Sequence, residues 1–193
     1  SQELKPYIVP LRIEPERFTP EYPDPAKGKV TIVHAPSNRG VKGTKYIHSA
    51  VENLKKKYDI EYILVENMTQ NEAFKEYQKA DIIVDQILGG SYGVFSIEAM
   101  AMGKPVITYI TDEMIKTFPD ELPIVSASPL NIQEEIEKLI NDGQIRHDLG
   151  VKGRKYIETY HDCKKNAKVI AKIYEGTANK TKGKDAFEEV KEL

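Results

Sequence analysis

A chain of 193 residues, 40% of them hydrophobic, supplies one α/β domain with its own core and is too short for two ordinary ones. A formal charge of −2 and a pI of about 6.1 lack the cationic excess expected of a nucleic-acid binder. No apolar run approaches the length of a membrane-spanning helix, and a single cysteine, Cys163, excludes an intrachain disulfide and fits a reducing, cytoplasmic setting.

Six of the 11 prolines fall in the first 25 residues. Proline fixes φ and removes a backbone donor, so residues 1–28 read as an extended linker with turns and one short strand over 7–13. A compact unit rarely opens this way unless another precedes it. From residue 29 the pattern changes. "KVTIVHA" is a β-branched run suited to a buried parallel strand. "SNRGVKG" is a turn, and the next segment puts Tyr46, Ile47, Ala50, Val51 and Leu54 on one helical stripe. "IEYILVENM" is the second strand. "NEAFKEYQKA" is a helix with Asn71 as its cap, and "DIIVDQIL" is the third strand.

"GGSYGVFSIEAMAMGKP", residues 89–105, is a glycine turn and a helix that Gly103 and Pro105 end. "PVITYI" and "PIVSA" are the fourth and fifth strands. The following helix is capped by Ser128, starts on Pro129 and stops at Gly143. A last helix carries Tyr156, Tyr160, Cys163, Ala167, Ile170 and Tyr174 as a core stripe. His161 and Cys163 do not share a face of it, so no metal site is expected there. Residues 176–193 form a polar tail whose end, "DAFEEVKEL", is either a docking helix or disordered. Residues 151–184 hold ten Lys/Arg against three Asp/Glu. That surplus is either a solvated face or a contact with an acidic membrane surface, which would place the protein at the inner face of the membrane.

Strands alternating with helices demand a doubly wound, Rossmann-like parallel sheet in a three-layer α/β/α sandwich over residues 29–175. Ligands on such a sheet sit beyond the carboxyl ends of the strands, where both glycine turns lie. The first turn matches neither a P-loop nor a G-x-G-x-x-G fingerprint. It offers Ser37, Asn38, Arg39, Lys42 and Gly43 beside a helix start, which is either an anion site or a solvated basic turn. In the second, Gly89, Gly90 and Gly93 let a ligand approach the backbone, with Tyr92 beside them, and the amides of Gly93, Val94 and Phe95 open the helix.

Glu98 stands in the apolar part of that helix. A buried carboxylate needs donors. Two readings stay open: the two hydroxyls of a vicinal diol, or an ion pair with a cation such as Lys104.

Residues 89–107 resemble the donor-binding motif E-G-F-G-x-x-x-x-E-A-M-A-x-G-x-P-V of retaining family-four glycosyltransferases of the GT-B fold. "SNRGVKGTKYI" looks like that family's phosphate turn, and "VPLRIEPERFTP" resembles its interdomain segment. The resemblance covers roughly residues 7 to 175 and implies the C-terminal, nucleotide-sugar-binding half of a GT-B hexosyltransferase of polysaccharide biosynthesis. The partner would be an N-terminal acceptor domain outside this chain. The donor would be a UDP- or GDP-sugar, with no cofactor or metal.

The resemblance places Lys42 on the donor diphosphate, Glu98 on the ribose, and the amides of Gly93, Val94 and Phe95 on the phosphates. Gly90 occupies the position of the family's first glutamate, which usually touches the sugar. Asp85 or Gln86 is expected to stand in for it. The family's phosphate arginine falls on Ser37, so either Arg39 serves instead, from a different angle, or nothing does. The alternatives are a non-catalytic nucleotide-sugar-binding module and a GT-B-type sugar epimerase.

Overall fold

Five short β-branched runs line up side by side in the computed structural model, which describes residues 9–175 and 184–193. They are β1 (Val30–His34), β2 (Ile60–Leu64), β3 (Ile82–Val84), β4 (Val106–Thr108) and β5 (Ile124–Ser126), all parallel, in the order β2-β1-β3-β4-β5. The order reverses between β1 and β3, which makes that junction the topological switch point. Between the strands lie α1 (Arg39–Lys42), α2 (Thr44–Leu54), α3 (Gln70–Gln78), α4 (Val94–Ala101) and α5 (Asp112–Ile115). After β5 come α6 (Ile132–Asn141), α7 (Gly143–Tyr160), α8 (Cys163–Tyr174) and α9 (Lys184–Lys191).

Successive residues of a strand face opposite sides of the sheet, and both sides are apolar. Ile32, Ile82, Val84 and Ile107 meet Ile47, Val51, Ile136 and Leu139 of α2 and α6. Val33, Ile83 and Val106 meet Ile97, Met100, Tyr156 and Ile157 of α4 and α7. α4 and α7 come so close that a β-carbon on Gly150 would stand 2.2 Å from the Gly103 carbonyl oxygen.

Several expectations about elements change. "SNRGVKG" contains the one-turn helix α1. Thr69, not Asn71, caps α3, because Thr69 and Glu72 form a reciprocal capping box. Ser128 does not cap α6. Its amide and hydroxyl donate to Asn131 Oδ1 at 2.8 and 3.2 Å, Asn131 becomes the cap residue, and the helix starts at Ile132. Gly143 opens α7.

The expected last helix is two. The amides of Ile13 and Cys163 donate to the carbonyls of His161 and Ile13 at 2.9 and 2.8 Å, so the linker takes the backbone groups that would have continued α7. Asp162 then caps α8. Tyr174 leaves the stripe and is 87% exposed. Of the strand expected over 7–13, Ile13 makes one bridge, and residues 7 and 8 lie outside the described residues.

Arg154 Nη1 donates to the carbonyls of Pro15, Phe18 and Ala101 at 3.0, 2.7 and 2.8 Å, which ties the proline-rich segment to the domain. Residues 176–183 of the polar tail lie outside the described residues. Its end is helical, with Phe187 and Val190 buried.

Candidate functional site

The strands' carboxyl ends meet at the switch point, where a buried ion pair sits. Lys42 follows β1 and Asp85 follows β3, and Lys42 Nζ donates to Asp85 Oδ1. Ser96 Oγ donates to Asp85 Oδ2 at 2.7 Å. The Asp85 side chain is 0% exposed and that of Lys42 14%. Beneath them His34 is buried. Its Nδ1–H donates to the Val84 carbonyl and its Nε2 accepts from Thr44 Oγ1, both at 2.8 Å. Burial lowers its pKa, which keeps the ring neutral.

The turn after β1 is fixed by its own atoms. Asn38 Oδ1 accepts the amides of Gly40 and Val41 at 2.9 and 3.1 Å, so that oxygen is committed to α1. Ser37 is exposed. Gly43, with φ of 78°, ends α1 and leads straight into α2, which has no side-chain cap. Arg39 does not join Lys42. Its Nε and Nη2 fork onto Glu66 at 2.8 and 2.5 Å, and the side chain borders a separate cavity with Thr44, Tyr46 and Leu88.

The second turn differs from expectation at three positions. Tyr92 points into the core. Its hydroxyl lies 3.3 Å from that of Tyr156 and 3.2 Å from His161 Nε2, and its ring packs 4.7 Å from Phe118. Gln86 holds the turn from inside, donating from Nε2 to the Ser91 carbonyl at 2.6 Å. Asp85, with both oxygens engaged and no exposed surface, offers nothing to an incoming hydroxyl. Gly90 sits at φ of 80°, a left-handed conformation that a side chain disfavours. Gly93 precedes α4 in extended conformation and no side chain caps that helix, so the amides of Val94, Phe95 and Ser96 form an open N-terminus.

Glu98 lies one turn deeper, half-buried. Among the described residues its carboxylate has no hydrogen bond or ion pair. Burial raises its pKa. The expected alternative partner, Lys104, donates to the Gln78 carbonyl at 2.7 Å, and burial pushes its pKa down to about 8. Glu98 borders a cavity of about 490 Å³ together with Gln70, Asn71 and Phe74 of α3, Cys163 of α8, and Arg12 and Arg17 of the linker. Sequence reasoning missed both arginines, which have no side-chain partner among the described residues. Both lie in "VPLRIEPERFTP", the segment singled out for its resemblance to an interdomain connection.

Exposed apolar side chains follow the strands: Val41 of α1, Met68, Leu88, Ile115 at the end of α5 and, 97% exposed, Leu130. Among the described residues no His/Cys/Asp/Glu cluster could hold a metal, and no helix is long and apolar enough to cross a membrane.

A scan of protein-family models gives no match to the sequence, and neither does a search of curated proteins. Solved structures do match. The chain superimposes on sucrose-phosphate synthase from Thermosynechococcus elongatus with a TM-score of 0.64 at 17% identity, over 87% of this chain and 51% of that one. It superimposes on the C-terminal domain of a glycosyl transferase group 1 family protein, LpcC, from Francisella tularensis with a TM-score of 0.59 at 19% identity, over 78% of this chain and 99% of that one. Anabaena HepE in complex with UDP gives a TM-score of 0.59 at 11% identity, over 77% and 49%. The chain thus spans about half of the first and third of these and nearly all of the isolated C-terminal domain. Its fold is the Rossmann-like α/β fold of GT-B glycosyltransferase domains.

Proposed function

We propose that the chain is the donor-binding half of a retaining glycosyltransferase, which moves a sugar from a UDP- or GDP-sugar to an acceptor hydroxyl held by an N-terminal domain outside this chain. The observation that carries this is the unpartnered carboxylate of Glu98 in a polar cavity, on a helix whose start is uncapped. A ribose diol supplies two hydroxyl donors to one carboxylate, and hydrogen bonds to a charged group contribute about 1.5–3 kcal/mol each. In this reading the diphosphate lies at the amides of Val94 and Phe95, at the start of the helix that carries Glu98, and at the ammonium of Lys42 across the switch point. Cleavage of the sugar–phosphate bond builds negative charge on the leaving diphosphate, which those groups stabilise. Arg39 has no part in this reading, because Glu66 engages it.

Exposed apolar side chains after the strands, Val41, Met68, Leu88, Ile115 and Leu130, lie at the end of the sheet that an acceptor domain would face in this reading. A cytoplasmic location and contact of the basic α7–α8 region with an acidic membrane belong to the same proposal. Co-sedimentation with anionic against neutral vesicles tests the membrane contact.

The direct test is calorimetric titration of UDP and GDP into the wild-type chain and Glu98→Gln. Loss of one charged acceptor lowers affinity about tenfold or more. Unchanged affinity sinks the ribose assignment. Gly90 favours a second reading, a binding module without transfer, because the acid that meets the donor sugar in the resembling family is missing and the backbone there disfavours it. A sugar-transfer assay on the chain joined to its acceptor domain separates the two: nucleotide binding with no transfer to any acceptor selects the module.

A further inference from the structure

We infer that Asp85 sets how tightly Lys42 holds a diphosphate, by competing for the same ammonium; this rests on the donor-site reading above. A lysine ammonium has three N–H donors. One goes to Asp85 Oδ1, which leaves two for a ligand arriving between β1 and β3. Asp85 lies behind the ammonium, wholly out of water, with its other oxygen accepting the Ser96 hydroxyl at 2.7 Å. A diphosphate on Lys42 therefore stands one ammonium away from a buried anion.

Two consequences follow from that placement. The carboxylate aims Lys42, so little side-chain freedom is left to lose when the ligand binds. It also neutralises part of the lysine's charge and repels the phosphates through a medium that screens poorly. The nucleoside diphosphate product is then held less tightly than a free lysine would hold it. Ser96 works against Asp85. Its hydroxyl draws charge from the carboxylate, and its amide belongs to the open start of α4.

Substitutions at the two neighbours therefore have opposite signs. Asp85→Asn keeps the shape and an acceptor for Lys42 but removes the charge. Titrated with UDP and GDP at several salt concentrations, it binds the preferred one about tenfold tighter, with a steeper salt dependence. Ser96→Ala leaves the carboxylate more charged and binds it about threefold more weakly. A purely structural role for the cluster loosens binding in both variants. Unchanged or weaker binding by Asp85→Asn overturns the inference. If that variant does not fold, unchanged or tighter binding by Ser96→Ala overturns it alone. Wild-type binding with Asp85 inert removes only this inference, whereas a wild-type chain that binds neither UDP nor GDP removes the donor-site reading and this inference together.

Discussion

Gly90 shows how much a single position decides. It is held at φ of 80°, its carbonyl accepts the Thr111 amide at 3.0 Å, and a β-carbon there would stand 3.0 Å from Thr111 Cγ2. Restoring an acid by Gly90→Glu puts a side chain into the left-handed region and is expected to cost about 1–2 kcal/mol of stability. Urea titration reads that cost, and an undiminished midpoint would show that the turn relaxes freely. The neighbouring residues show what sequence could reveal about the site. Glu98 was legible because a carboxylate in an apolar helix demands an explanation, and the structure leaves it without the lysine that would have supplied a plain one. Tyr92 and Asp85 turn inward, and Gln86 is half-buried with its Nε2 on the Ser91 carbonyl, but nothing in "VDQILGGSYG" tells which side chains the fold engages. That depends on Tyr156, Phe118, Ser91 and Ser96, partners brought together only by the fold.

Elements end where a partner competes for their backbone. α7 stops at Tyr160 because Ile13 takes the His161 carbonyl, and α3 starts at Gln70 because its cap Thr69 and Glu72 bond reciprocally. Local propensity located the helices, but their ends depend on such reciprocal bonds. The closing segment is the clearest case. "DAFEEVKEL" left docking and disorder open, and α9 docks. Phe187 packs edge-on to Phe118 and Tyr160 at 5.7 and 5.9 Å between ring centroids. Its neighbours belong to α7 and to the stretch before β5, which no short-range pattern connects. Phe187→Ala removes a ring only 6% exposed and is expected to cost about 3–5 kcal/mol if the site does not collapse. An unfolding free energy from urea titration lowered by under a tenth of that amount would mean that α9 is peripheral to folding.

At the scale of the whole molecule, the parallel sheet was readable because β-branched runs and amphipathic stripes alternate at crossover spacing, whereas the strand order came only with the fold. What the pattern hides is the acid sensitivity of the assembly. His161 is 1% exposed, at the seam where the linker, α7, α8 and α9 meet, between Tyr92, Tyr156 and Phe187. Its Nδ1–H donates to the Leu11 carbonyl, and burial lowers its pKa to about 4. The unfolded chain takes up a proton near pH 6.5, while the folded chain refuses it until about pH 4. Stability is therefore complete above pH 6.5 and falls as pH drops through that window, by about 3 kcal/mol for such a shift. His34, also held neutral by burial, adds to the same limb. Glu121, held down at about 2 by the Tyr160 hydroxyl, its own backbone and Lys191, loses its contribution only at lower pH, below about 4.5. Thermal midpoints recorded from pH 7 to pH 4 should fall steeply in the wild type and less in His161→Gln, which cannot be protonated. Equal slopes in the two proteins would mean that the seam opens to water before the ring is charged, and that the linker is not locked to the sheet through this histidine.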